Sequence, residues 1–244
     1  MSTSAVTDGR APTAIAPNYG IDADRVLTVD DPIRWLLRRL DGRFAVDEFG
    51  GDPHLMDLLA PVPAAAIRVE VEEAHRLPRA GAALLVSNRG IGLAEPFVLG
   101  LAVRRAVRRR LRVVGLPSLP VIRPLFQKLG AIGYSPNDVA AMLRAGHLLA
   151  APLGMTWLRA GAGEPPRSLL AAALGFPVIP VAVCQGGLFG TSPGVWPTAP
   201  WRVVIGEPML PPPGTDPHDQ LAAAELAEQV RDAVRALLDQ SREP

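Results

Sequence analysis

Apolar residues in this chain fall into short continuous runs, and these runs alternate with longer segments that repeat at helical spacing. A short continuous apolar run is typical of a buried strand, whereas alternation of apolar and polar residues is typical of a half-buried strand. The segment 67–74 (IRVEVEEA) alternates. The continuous runs predict strands at 82–87 (AALLVS), 111–116 (LRVVGL), 147–152 (HLLAAP), 177–185 (PVIPVAVCQ) and 201–209 (WRVVIGEPM).

Helices are predicted between and after these strands. The pattern predicts them from about Pro96 to Arg110, from Asn137 to Ala145, over 168–175 and over the closing segment AAAELAEQVRDAVRALLDQ, with short helices from Asp52 and around Arg123–Leu129. Strands that alternate with helices predict an α/β fold, with a largely parallel central sheet flanked by helices. We expect a single domain, because the chain shows no internal repeat and no second-domain boundary.

The N-terminal region is predicted to differ from the rest of the chain. Residues 1–30 are polar and rich in turn-forming residues, so we expect a flexible tail without a secretory signal. Residues 31–66 are expected to form N-terminal helices. The first lies over DDPIRWLLRRL, where Asp31 can cap the helix and Pro32 can occupy its first turn. The α/β domain is then expected to span 31–244.

Composition and charge exclude several classes of protein. Hydrophobic residues make up 48% of the 244 residues, which is too many for a disordered chain. The formal net charge of +1 gives no reason to expect a nucleic-acid partner. Cys184 is the single cysteine, which excludes an internal disulfide and a cysteine-rich metal site. A single free cysteine fits a reducing cytoplasm, and we expect a cytoplasmic protein. No apolar run reaches the ~18 residues that span a bilayer.

Four segments carry an ordered set of motifs: VSNRGIGLAEPFVL, FQKLGAIGYSPNDVAAMLRAGHLLAAPLGMT, LGFPVIPVAV, and VVIGEPM before an amphipathic helix. Together they resemble the glycerophospholipid acyltransferase family, whose members acylate glycerol-3-phosphate and lysophosphatidic acid. The first is similar to the family's Asn-His-x4-Asp-Pro motif, and the second to its Leu-Gly-Ala segment and Pro-Glu-Gly-Thr loop. The other two are similar to its Pro-Val-Ile-Pro-Val strand and its C-terminal ending. The resemblance covers the chain from about Asp52 onward and implies an acyltransferase-like fold.

The resemblance also implies a reaction, acyl transfer from a thioester to a glycerolipid hydroxyl. Acyl-CoA or acyl carrier protein would be the co-substrate, and no metal or other cofactor is expected. An alcohol is a poor nucleophile and needs a base beside it; a histidine held by a carboxylate suits that role near neutral pH. In the family, the Pro-Glu-Gly loop and an arginine help to seat the phosphate of the acceptor.

The positions that carry this chemistry are altered in the chain. If Asn88 anchors the comparison, Arg89 occupies the histidine position and Ala94 the aspartate position. If Glu95 anchors it, Glu95 takes the carboxylate role and Gly90 occupies the histidine position. The chain therefore keeps the residues that shape the family's fold and lacks the histidine that would do its chemistry.

The phosphate-binding segments are altered as well. The Pro-Glu-Gly loop has become Pro152-Leu153-Gly154, without its acid, and Tyr134 stands near the position where an arginine is usual. Arg123 could meet a phosphate in place of that arginine, or could serve the structure alone. The residues predicted to bind substrate are Ser87, Asn88, Gly90, Arg123, Pro152, Leu153, Gly154 and Thr156.

Two residues, Arg89 and Glu95, occupy the altered catalytic positions. Arg89 cannot act as a general base, because a guanidinium stays protonated at neutral pH. Glu95 could act as a base by itself in a dry pocket. We favour an Arg89–Glu95 ion pair that preserves the shape of the loop and takes no part in catalysis.

The chain has four histidines that could replace the missing one. His75 and His147 are predicted at the opposite ends of their strands from Asn88, at ~20 Å and ~17 Å by strand length. His218 is predicted in a solvated loop. His54 stays open as a substitute base, because the sequence does not place the N-terminal helices.

The stretch VRRAVRRRLRVV, from Val103 to Val114, packs six arginines into one segment. At helical spacing these residues are expected to form a broad basic face that contacts anionic lipid headgroups or the phosphates of CoA. A solvated outer helix face is the alternative. The residues predicted for this contact are Arg104, Arg105, Arg108, Arg109 and Arg112.

The sequence thus predicts an acyltransferase-like α/β protein of phospholipid metabolism, peripheral to the inner face of the membrane, with weak or no catalysis. One alternative is a working enzyme with unusual catalytic residues, dependent on Glu95 or His54. Another is a non-catalytic protein that binds lipid, acyl-CoA or a partner protein. A third is a regulatory subunit of an active acyltransferase, which would present an exposed apolar patch.

Overall fold

The computed structural model describes residues 47, 49–59, 67–88, 94–115, 123–153, 167–185, 200–211, 216 and 219–241. The predicted tail over 1–30 and the helix predicted near Asp31 lie outside these residues, as does most of the predicted N-terminal helical region. The elements are α1 (Pro53–Leu59), β1 (Val69–Glu72), β2 (Ala83–Ser87), α2 (Ala94–Val107), β3 (Leu111–Val114), α3 (Arg123–Lys128), β4 (Ala131–Ile132), α4 (Pro136–Arg144), β5 (Leu148–Pro152), α5 (Arg167–Ala172), β6 (Val178–Gln185), β7 (Trp201–Ile205) and α6 (Gln220–Gln240). A 3₁₀ turn over Ala74–Arg76 follows β1.

The described strands form one seven-stranded sheet in the order β1-β7-β6-β2-β5-β3-β4. Strands β2, β3, β4, β5 and β6 run parallel to one another, whereas β7 is antiparallel to β6 and β1 is parallel to β7. The prediction of an α/β fold with a largely parallel central sheet is therefore confirmed. β4, with two residues, is the strand that no apolar run predicted.

Helices cover both faces of the sheet, which explains why its central strands are apolar throughout. In β2, Leu84 and Val86 face the core shared with α4, α5 and α6, while Ala83 and Leu85 face the core beneath α2. All five residues of β2 are buried. A strand with both faces covered cannot alternate in polarity, so AALLVS reads as a continuous apolar run.

The strand register defines two edges of the sheet. Ser87, the last residue of β2, pairs with Pro152 at the end of β5 and with Val181 in β6. The carboxyl ends of the central strands therefore meet at one edge, called here the carboxyl edge. The opposite edge, where β2, β3 and β5 begin, is called the amino edge. In open α/β sheets, ligand sites lie at the carboxyl edge.

Candidate functional site

A cleft opens at the carboxyl edge, where β2, β3 and β5 end and α2 begins. The empty space between its walls and at its open mouth amounts to about 420 Å³, a figure that includes open solvent. Its lining is mainly apolar, with one hydroxyl and one carboxylate. The lining residues are Ser87, Glu95, Pro96, Leu99, Val113, Val114, Gly115, Ala150, Ala151 and Pro152. An apolar wall with a small number of polar groups is the usual composition of a small-molecule site.

The two polar side chains of the cleft are hydrogen-bonded to each other. The Ser87 hydroxyl donates to Oε1 of Glu95 over 3.0 Å. Both residues are buried, with exposed fractions of 2% for Ser87 and 6% for Glu95. Glu95 lies in the first turn of α2, where the unpaired amide groups of the helix favour a negative charge. The site thus offers a hydroxyl and a carboxylate. The carboxylate can accept a hydrogen bond or act as a base.

Asn88 follows Ser87 and uses its side-chain amide within the sheet. Its Nδ2 donates to the main-chain oxygen of Val183 over 2.9 Å, and its Oδ1 accepts from the main-chain nitrogen of Val183 over 2.6 Å. The side chain therefore pairs with β6 as a further strand residue would. Asn88 was predicted to bind substrate; in the structure its amide joins β2 to β6 at the margin of the cleft.

The other predicted substrate-binding residues are placed differently from one another. Pro152 lines the cleft, but Leu153 does not, since its side chain is buried in the core. The main-chain amide of Leu153 donates to the main-chain oxygen of Ser87 over 2.7 Å. Arg123 is exposed at the start of α3 and is absent from the lining. The remaining residues with predicted site roles, Arg89, Gly90, Gly154 and Thr156, lie outside the described residues, as does the predicted Arg89–Glu95 ion pair.

Tyr134 lies just after β4, near the position where the resemblance leads one to expect an arginine. Its ring packs against the core, and burial raises the pKa of its hydroxyl above the ordinary value of 10.0. Within the described part of the chain this hydroxyl has no hydrogen-bond partner. Ser135, next in sequence, caps α4 by accepting from the amide of Asp138. This segment therefore begins a helix and brings no cation to the cleft.

One of the four histidines, His147, lies at the amino edge, as predicted, and His75 lies beside the outermost strand of the sheet. His147 directly precedes β5, whose first residue, Leu148, pairs with Ala83 at the start of β2. His75 lies in the 3₁₀ turn after β1, the outermost strand, which β7 and β6 separate from β2, and its side chain is 76% exposed. His218 lies outside the described residues. Neither His75 nor His147 is placed to serve the cleft.

The position of α1 bears on His54, the histidine that the sequence left open. Asp57 of α1 pairs with Arg110 directly before β3, and the amide of Asp52 donates to the oxygen of Lys128 shortly before β4. These contacts hold the main chain of α1 at the amino edge, away from Glu95. The placement argues against His54 as a substitute base.

The predicted basic helix face is wrong in its extent, because α2 ends at Val107. Arg109 is 4% exposed, and its guanidinium donates to the main-chain oxygens of Pro78 (3.2 Å), Gly81 (2.7 Å) and Gly146 (2.9 Å). Arg112 is also 4% exposed and pairs with Asp47. A guanidinium enclosed by main chain or by a carboxylate cannot reach a lipid headgroup, so both residues serve the fold.

The other three arginines of that face differ in their partners and in their exposure. Arg104 pairs with Asp57 over 2.5 Å, which leaves Arg105 and Arg108 as exposed cations. Asp57 pairs with Arg104 and Arg110 at the same time. The sequence analysis did not identify Asp57 as a partner of these arginines. No local pattern could have revealed this pairing, since 47 and 53 residues separate the partners.

Neither a metal site nor a membrane span emerges from the described ranges. No group of three or more His, Cys, Asp or Glu side chains there could hold a metal ion. Over the same ranges, no helix combines the length and the apolar character needed to cross a bilayer.

Among the comparisons with known proteins, the likeness to a solved structure bears on the fold. No protein-family model matches the chain. Uncharacterised proteins of Mycobacterium bovis, Mycobacterium tuberculosis and Mycobacterium leprae are each 28% identical to it over 257 residues; the match covers 84% of this chain and 71%, 71% and 70% of theirs, respectively. The crystal structure of the 1-acyl-sn-glycerophosphate (LPA) acyltransferase PlsC from Thermotoga maritima matches with a TM-score of 0.53 and 15% identity, over 78% of this chain and 82% of that chain. The chain therefore has an acyltransferase-like fold.

Proposed function

We propose that this protein binds an acyl thioester, such as acyl-CoA, or a glycerolipid in the cleft at the carboxyl edge, and that it transfers the acyl group slowly or not at all. It would then act in lipid metabolism as a binding or regulatory descendant of acyltransferases. The fold shared with a lysophosphatidic acid acyltransferase and the apolar lining of the cleft support the class of ligand. The polar groups of the cleft support the weak catalysis.

The observation that carries the proposal is the hydrogen bond between Ser87 and Glu95. In the cleft, Glu95 accepts a hydrogen bond from a hydroxyl of the protein, 3.0 Å away. A carboxylate that already accepts such a bond is a weaker acceptor for the proton of a substrate hydroxyl. Among the described residues, His147 lies at the amino edge and His75 follows β1, which β7 and β6 separate from β2, so neither is placed to supply the base that an alcohol nucleophile needs.

A working acyltransferase with Glu95 as its base is the second candidate. The favouring observation is that Glu95 is buried, lies against the cleft and has a hydroxyl within hydrogen-bond distance. A substrate hydroxyl could displace that of Ser87 and lose its proton to Glu95. This candidate predicts turnover that disappears in Glu95→Gln, whereas the first predicts binding without turnover.

A regulatory subunit of an active enzyme stays a prediction. Such a subunit would present an apolar patch to its partner. The large hydrophobic side chains exposed among the described residues belong to four different parts of the fold, namely α1, α3, the segment after β7, and α6. These residues are Leu59, Leu125, Leu210 and Leu221.

Binding at the cleft is tested by titration calorimetry with palmitoyl-CoA below its critical micelle concentration. Val113 lines the cleft and is half-buried, so Val113→Phe should fill the space and weaken binding at least tenfold. Val107→Phe, at a half-buried position at the end of α2, is the matched control and should bind as the natural protein does. Equal affinity in the natural protein and Val113→Phe would place the ligand elsewhere and overturn the proposal.

A further inference from the structure

We infer that the amino edge of the sheet is a docking surface for an anionic phospholipid bilayer. Four arginines form it, Arg79, Arg105, Arg108 and Arg144, and they are called here the amino-edge arginines. All four are exposed. They come from the turn before β2, the last turn of α2, the residue that directly follows α2, and the end of α4. This surface is separate from the cleft and independent of the function proposed for it.

Arg109 brings the segments that carry these arginines together. Its buried guanidinium bonds the oxygens of Pro78 and Gly81, on either side of Arg79, and the oxygen of Gly146, two residues after Arg144. Arg108 is its neighbour in sequence, and Arg105 lies one helical turn earlier. One internal cation thus fixes the positions of several external ones, so the charges are held close together by the fold.

The amino-edge arginines have no carboxylate partner among the described residues. Arg105 donates to the main-chain oxygen of Val69, and Arg144 to that of Ala140 in its own helix. Arg104 and Arg110, by contrast, pair with Asp57 in the same region. Glu73, in the turn after β1, lies beside Arg76 and His75. The surface therefore presents a concentrated positive charge although the whole chain is nearly neutral.

The backbone at Arg108 is a second, independent observation. Arg108 has a φ of +56°, in the left-handed region, and it directly follows the last residue of α2. Glycine is the usual residue at such a position, because a side chain there is strained. An arginine at this position is unfavourable for the fold, so we infer that its exposed charge has a use of its own.

A bilayer fits this surface better than a protein or a nucleic acid. Guanidinium groups match the geometry of phosphates, and here they come from several adjacent turns and belong to no enclosed pocket. Leu210, which is 70% exposed, lies at the same edge, since the neighbouring Met209 pairs with Val178 at the start of β6. An exposed leucine beside arginines suits the boundary between headgroups and acyl chains. Docked in this way, the protein would hold its cleft about one strand length, ~17 Å, from the amino edge and open to water.

The experiment is cosedimentation of the full chain with two kinds of vesicle, phosphatidylcholine alone and phosphatidylcholine with one-third phosphatidylglycerol. We expect binding to the anionic vesicles only, weakening as salt is raised. Each arginine near an anionic surface contributes a factor of about five, so Arg79→Gln with Arg108→Gly should weaken binding about twenty-fivefold. Arg235→Gln, which removes an exposed charge from α6, is the matched control and should leave binding unchanged.

Arg108→Gly separates docking from folding, because glycine suits the left-handed backbone and the variant should fold at least as stably as the natural protein. Equal binding to both kinds of vesicle, or equal loss in Arg235→Gln, would overturn the inference. A DNA duplex or polyglutamate that binds through the same arginines while anionic vesicles do not would show a different partner and would overturn it as well.

Discussion

Ser87 at the end of β2 and Glu95 in the first turn of α2 are joined by a hydrogen bond of 3.0 Å that lies on the wall of the cleft. The bond ties the last residue of the strand to the first turn of the next helix, and seven residues separate the two partners in the sequence. In an acyltransferase of this fold, a catalytic pair is expected at the corresponding place. In this protein, the Glu95 carboxylate accepts a hydrogen bond from the hydroxyl of Ser87.

Loss of this hydrogen bond should destabilise the protein measurably. Ser87→Ala removes a donor to a buried carboxylate, and we expect the free energy of unfolding to fall by about 1.5–3 kcal/mol. Urea denaturation followed by circular dichroism measures the change. Ser241→Ala is the matched control, because its hydroxyl bonds the Leu237 oxygen at the half-buried end of α6; it should reduce stability by only about 0.5 kcal/mol. Equal losses in the two variants would contradict this account of the Ser87 bond.

The Asn88 amide should matter for stability and not for ligand specificity. Asn88→Ala removes two hydrogen bonds to the main chain of Val183 and leaves that amide and oxygen without their partner. The expected loss is about 2–3 kcal/mol of unfolding free energy. Binding of palmitoyl-CoA by the folded fraction should be unchanged in calorimetry. A protein that keeps its stability and loses the ligand would instead make Asn88 a ligand-binding residue.

Adjacent arginines at the end of α2 should respond in opposite directions. Arg109→Met leaves three main-chain oxygens without their guanidinium partner, so stability should fall by about 3 kcal/mol. Arg108→Gly relieves a left-handed backbone, and stability should stay the same or rise by up to about 1 kcal/mol. Thermal unfolding of both variants beside the natural protein measures these effects. A stable Arg109→Met protein would refute the internal role of that guanidinium.

Tyr134 should make the folded protein less stable at alkaline pH. Burial raises the pKa of its hydroxyl above 10.0, so above that pH the unfolded chain loses the proton before the folded protein does. Ionisation of Tyr134 therefore leaves the free energy of unfolding unchanged below pH ~10 and lowers it as the pH rises further. Tyr134→Phe should be no less stable near neutral pH, and its stability should fall less steeply above pH ~10. Identical alkaline slopes for the two proteins in urea denaturation would rule out this contribution.

Much of the fold could be predicted because burial leaves a direct mark on the sequence. The run AALLVS gave β2 to within one residue, since a strand covered on both faces must be apolar at every position. The helix predicted from Asn137 to Ala145 matches α4 to within one residue at each end. The sheet order could not be predicted, because nothing local specifies that β7 pairs antiparallel with β6.

The candidate site was predicted in part, and the failures have a physical cause. Ser87, Glu95 and Pro152 lie at the cleft because the carboxyl ends of parallel strands meet at one edge. The basic face was wrong because Arg108 turns the chain and sends Arg109 inward. Charge periodicity cannot show whether an arginine meets solvent or a carbonyl oxygen distant in sequence. The sequence also contained no sign that the apolar residues Leu99 and Val113 line the cleft, because in the sequence they resemble any core residue.

The most direct test of the central claim is the release of free CoA thiol by the purified protein with palmitoyl-CoA and lysophosphatidic acid. Glu95→Gln, Arg89→His and Gly90→His are measured beside it, and heat-killed protein sets the background. We predict no release above background by the natural protein while palmitoyl-CoA binds in calorimetry, and no change in Glu95→Gln. Turnover by the natural protein that disappears in Glu95→Gln would contradict the account and would make Glu95 the base of a working acyltransferase.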